Sequence, residues 1–199
     1  MDTPSPADVL RVWFGNDDPQ GIVAPQMDRW FKTDVDFDTR LRERFGTVIE
    51  AGIRGELALW EDTPGGALAL VILLDQFSRN AYRGDARSFA ADPAALAAAE
   101  RAVSRGFDRA VAWLARSFLY LPWEHAESLA HQDRALALFR TLATEAPDGF
   151  GSLGASFVEY AEKHRAVIAR FGRFPHRNAD LGRESTPDEL AFLTTGRGF

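Results

Sequence analysis

Cysteine is absent from the chain, which excludes disulfides, thiolate nucleophiles, Cys-bound zinc and iron–sulfur ligation together. Lysine is almost absent too, since the 23 basic residues include only Lys32 and Lys163. Biased genomic base composition explains an excess of Arg and Ala as readily as function does. Long apolar runs are missing: the longest, Ala67 to Leu74, is far too short to cross a bilayer. The opening six residues carry neither a basic start nor an apolar core. No signal peptide is therefore assigned, no membrane is expected as a partner, and the cytoplasm is the expected location. Excess positive charge is lacking as well. At a net charge of −6 the chain is a poor general binder of nucleic acid, whose non-specific affinity comes from neutralised phosphates. Alternating strand patterns are missing. So are a serine-nucleophile elbow, a phosphate-binding glycine loop of the P-loop kind and a His-Glu-x-x-His zinc motif.

What remains is a helical composition. The 199 residues, 46% hydrophobic and 26% charged, suit one domain spanning 1–199 that buries roughly 70% of its unfolded surface. Ser5-Pro6, Thr63-Pro64, Asp92-Pro93 and Thr186-Pro187 each set a capping oxygen before a proline suited to the first helical position. Glu189 completes a capping box with Thr186. Helices are expected near 6–14, 36–53, 64–78, 93–105, 108–121, 124–145, 152–171 and 187–194. Val111, Leu114, Phe118 and Leu121 make one core stripe, and Leu129, Leu136 and Phe139 another. Leu68 to Leu74 surround their helix on every side, which marks it as buried. Antiparallel helical hairpins follow, in a bundle or an α-solenoid, although no repeat at a period of 34 residues stands out.

Three polar stretches interrupt this pattern. Asp75-Gln76-Phe77-Ser78-Arg79-Asn80 follows the buried helix, with Asp75 and Arg79 one turn apart. It is either a structural ion pair with a helix end closed at Asn80, or part of a ligand site. Pro122-Trp123-Glu124-His125-Ala126-Glu127-Ser128 reads as a helix opened by Pro122, where the macrodipole alone accounts for Glu124 and Glu127. The same residues put an imidazole beside acids, as proton transfer needs. Glu127 and His131 are four apart, but two ligands are not a metal site, and no metal or cofactor is assigned. The third stretch runs from His164 through Arg170, Arg173, His176, Arg177 and Asn178 to Arg183, with a helix ending at Gly172 and a turn at Pro175. Four arginines and His176 within fourteen residues suit either a cationic pocket for carboxylate or phosphate, or a salt-bridge network with Asp75, Glu124 and Glu127.

These three stretches, together with Leu181-Gly182-Arg183-Glu184-Ser185-Thr186, closely resemble the signatures of a bacterial family known as domain of unknown function 924. The resemblance extends from the Trp13-Phe14 and Trp30-Phe31 pairs to the Phe192-Leu193 helix. It implies a tetratricopeptide-like helical fold and little about activity. The chain departs from the family pattern at Ser78, where proline is common, and at Trp123, where a smaller aliphatic residue is usual.

Three functions stay open. An anionic small molecule or peptide is bound by Asp75, Gln76, Arg79, Asn80, Glu127, His164, Arg173, Arg177 and Asn178; or Glu124, His125 and His176 run acid–base catalysis of a hydrolase or lyase kind; or the motifs only lock helices. The first two need the segments around positions 79, 125 and 177 to converge in one charged cavity. The oligomeric expectation is a monomer or homodimer.

Overall fold

The computed structural model describes residues 3–22, 25, 26, 30 and 32–195. Phe31, named above, lies outside them. Every regular element among the described residues is helical. The order is α1 (Pro6–Phe14), α2 (Val35–Ile53), a 3-10 turn (Ala58–Asp62), α3 (Pro64–Ile72), a π-helical turn (Leu73–Phe77), α4 (Ser78–Ala81), α5 (Arg87–Ala90) and α6 (Asp92–Ser104). A second 3-10 turn (Phe107–Ala110), α7 (Trp113–His125), α8 (Leu129–Thr144), α9 (Gly151–Phe171), a third 3-10 turn (Pro175–Arg177) and α10 (Pro187–Thr194) complete it. None of the described helices is long and apolar enough to cross a membrane.

Caps fix several starts. At α1 the Ser5 side chain accepts from the Asp8 N–H while the Asp8 carboxylate accepts from the Ser5 N–H. Thr186 and Glu189 exchange the same pair of bonds at α10. Thr63 accepts from the Gly66 N–H at α3, where a Cβ on Gly66 would sit 2.1 Å from the Trp60 carbonyl oxygen. Only glycine fits there.

The chain folds into two compact units, Met1–Arg83 with Arg87–Pro122, and Gly84–Ala86 with Trp123–Phe199. In the first, α3 is buried on every face, as its sequence requires, and Leu73 and Leu74 continue the burial into the π-helical turn. Trp13 is the hub of an aromatic cluster, stacked on Trp30 at 6.4 Å and edge-on to Phe118 at 5.8 Å. In the second, α8 and α9 pack as a helical hairpin in which Phe139, Leu142 and Ala161 are buried, and Val167, Ile168 and Phe174 form a core cluster with Phe171 and Phe192 packed against it. Gly172, at φ +71, ends α9 in the left-handed conformation that glycine adopts without strain. Phe192 of α10 packs on Phe171 at 5.2 Å.

Five local expectations are corrected. The 64–78 helix is α-helical only to Ile72 before its backbone widens into the π-turn. Asp92 is not a cap: it is the first residue of α6 and its carboxylate binds Arg79 at 2.8 Å. Residues 108–110 lie in a 3-10 turn, and Pro122 opens no helix. It sits inside α7, where the burial of Leu119, Tyr120, Trp123 and Glu124 on either side offsets the lost backbone bond. Glu124 and His125 are therefore in the last turn of a helix, and the macrodipole account of Glu124 fails. Leu129, at the first position of α8, is 42% exposed and outside the core stripe.

Candidate functional site

The residues named from sequence fall into two sets, one in each unit. Asp75, Gln76, Arg79 and Asn80 belong to the first. The π-helical turn places Asp75 at 1% exposure, where Gln76 Nε2 donates to Oδ2 at 2.6 Å and Arg79 Nη2 lies 3.5 Å from Oδ1. Arg79 also donates to Asp92 and stands over the Phe89 ring at 5.4 Å. Asn80 donates to Asp38 at 2.9 Å, and Arg83 takes the other Asp38 oxygen at 2.8 Å. Each cation here has its carboxylate. Asp38 and Asp92 escaped the sequence argument because no spacing ties them to the motif.

The second set gathers at the end of α7, on α9 and in the segment before α10. Arg177, buried, donates from Nη2 to the His125 carbonyl oxygen at 2.9 Å and lies over the Phe174 ring at 4.6 Å. Gln132, fully buried, donates to the carbonyls of Glu124 at 2.6 Å and Ala126 at 2.8 Å. Together the two side chains satisfy carbonyls at the end of α7 that the helix leaves open. Glu127 receives Arg183 bidentately at 2.7 and 2.9 Å and the Phe174 N–H at 2.8 Å, and its carboxyl is held below the usual range chiefly by Arg183, against its burial. Arg173 pairs with both oxygens of Glu189 at 2.7 and 2.8 Å, which brings the Glu189 carboxyl down to about 2. Asn178 bridges Ser185, Glu189 and Arg183. Arg173 and Arg183 are thus engaged by acids of their own unit.

The histidines form a group of another kind. His164 of α9 is 8% exposed, with Nδ1 2.9 Å from the Tyr160 carbonyl oxygen and 3.1 Å from Glu124 Oε1. A carbonyl only accepts, so Nδ1 carries the proton and the neutral ring keeps its lone pair on Nε2. Burial pushes the pKa of His164 down to about 3, helped by the charges of His125, His176 and Arg177 and opposed by the Tyr160 carbonyl. The His125 and His164 rings are 6.2 Å apart. Phe174 lies between His164 and His176, 5.6 Å from each. His176 is exposed and His125 half-exposed. Sequence paired Glu124 with its neighbour His125, whereas α9 brings His164 to it. Glu189 was legible only as a cap, and Gln132 gave no signal. Among the described residues no group of three His, Cys, Asp or Glu side chains is arranged to hold a metal ion.

The chain matches the model of a family described as a bacterial protein of unknown function (DUF924) over residues 9–197. The chain belongs to that family. This DUF924 chain has a solved counterpart: a protein of unknown function from Agrobacterium tumefaciens is 40% identical and superposes with a TM-score of 0.80 over 96% of this chain and 97% of its own. No curated protein matches.

Proposed function

We propose that this DUF924 protein works through the histidine group of its second unit, as an acid–base site for a small anionic molecule. One observation carries the proposal: the Nδ1–H of His164 is fixed against the Tyr160 carbonyl with Glu124 beside it, which leaves Nε2 as a base of defined tautomer. Burial first, and then the neighbouring His125, His176 and Arg177, hold His164 neutral. A carboxylate or phosphate bound among them would offset their field and raise the pKa of His164. In a substrate complex the ring would then take up a proton more readily. The fold we assign is tetratricopeptide-like, in one domain working in the cytoplasm without nucleic acid or membrane as partner.

The test is NMR of the full chain with labelled histidine, titrated with inorganic phosphate, acetate and succinate. We expect saturable shifts at His125 and His176 with an upward move in the titration of His164. An Nε2–H tautomer at His164, or histidine signals indifferent to every anion, overturns the proposal.

A second function is favoured by the pairing of Arg79, Arg173 and Arg183 with Asp92, Glu189 and Glu127: the motifs lock helices and nothing more. It predicts that His164→Gln lowers the melting temperature at neutral pH. A residue reserved for chemistry should tolerate the change or gain stability.

A further inference from the structure

The first unit holds another place where cations gather over an apolar floor. α1, α2 and the residues just before α2 line an open cleft of about 830 Å3. Val12, Phe37, Leu41 and Phe45 make its floor, and the last three recur every fourth residue along one face of α2. Leu41 and Phe45 are buried, while Arg11, Lys32, Arg40 and Arg44 are exposed around them. The lining has a single carboxylate, Asp34, and it is already engaged in capping α2 by accepting from the Phe37 N–H at 2.9 Å. Arg44 holds Asp8 at 2.6 Å, and Arg11 lies by Asp8 and Asp17. Arg40, one turn from Arg44, has no ion-pair partner among the described residues.

We propose that this cleft binds a small organic anion, a carboxylate or phosphate monoester on a short acyl or aryl body. Its volume lies within the range of roughly 300–1,000 Å3 typical of small-molecule sites. Guanidinium groups pair with the two oxygens of either headgroup, and the floor removes the apolar body from water. The chain's net charge of −6 disfavours an extended polyanion in the same place.

Calorimetric titration of the full chain with decanoate and with phenyl phosphate tests this, with decanol as the uncharged control and the dependence on Arg40 separating this cleft from the histidine group. At least one anionic probe should bind saturably, and the one that binds identifies the headgroup. Arg40→Glu should weaken it about tenfold or more, Arg40→Gln less, and added salt should weaken it further. Arg40 is exposed and unpaired among the described residues, so both variants should keep the melting temperature of the parent. Failure of both probes to bind, affinity of the bound probe unchanged by Arg40→Glu, or equal binding of decanol would overturn the assignment.

Discussion

The Asp75 to Asn80 motif in the first unit and the His125, His164 and His176 group in the second treat charge in opposite ways. In the first, Arg79 meets Asp75 and Asp92, and Asp38 is shared by Asn80 and Arg83. Those groups are opposite in sign and satisfy one another, so the cluster is closed on itself. In the second, the rings are titratable and they press on one another, since His125 and His176 both lower the pKa of His164. On the proposed function, such a group would respond to acid and to a bound anion. One family signature thus contains two kinds of polar residue, and only the second kind invites chemistry.

Asp75→Ala should give the largest effect. It leaves Arg79, itself largely buried, without one of its two acids, at a cost of about 3–5 kcal/mol in urea unfolding. Added phosphate should not alter that loss. Glu189→Gln comes next at about 2 kcal/mol, because it weakens the bidentate Arg173 pair and the cap of α10. With a folded pKa near 2 against an ordinary 4.5, the contribution of Glu189 is complete above pH 4.5 and fades as acid approaches 2. The variant should lack that acid-side decline in a series of melts.

His164→Gln should act with a different pH signature. The unfolded chain protonates this ring near pH 6.5 and the folded chain only near 3, so acid favours unfolding throughout that window. Stability of the parent should therefore decline below pH 6.5, and the variant should decline less over the same range. A parent curve flat from pH 6.5 to 4.5 would break the contrast between the two regions. His176→Ala should have the smallest effect on folding, within about 0.5 kcal/mol, because the ring is exposed. It should still diminish the response of the other histidines to phosphate in NMR titrations.

Much of the helical layout is legible because local chemistry decides it. Ser5-Pro6, Thr63-Pro64 and Thr186-Pro187 start helices where the residue types demand, and Gly172 stops α9. Pro122 misleads because its meaning depends on packing: the burial of Tyr120 and Trp123 carries α7 through it. Asp92 misleads because a capping oxygen and an ion-pair oxygen look alike in sequence, and Arg79 claims this one. The polar stretches stand out as unusual, yet their partners do not, because Glu124 meets the ring of His164 on another helix and Arg173 meets a capping glutamate. Spacing reports only neighbours along the chain.

Gln132 carries one further consequence. Its amide nitrogen spreads two protons onto the carbonyls of Glu124 and Ala126, in a spot fully shut off from water. Trading that NH2 for an oxygen, as in Gln132→Glu, would alter almost nothing in size or outline. It would set a third oxygen against two others and turn a clasp into a wedge beneath Glu124, the residue that stands next to the His164 ring.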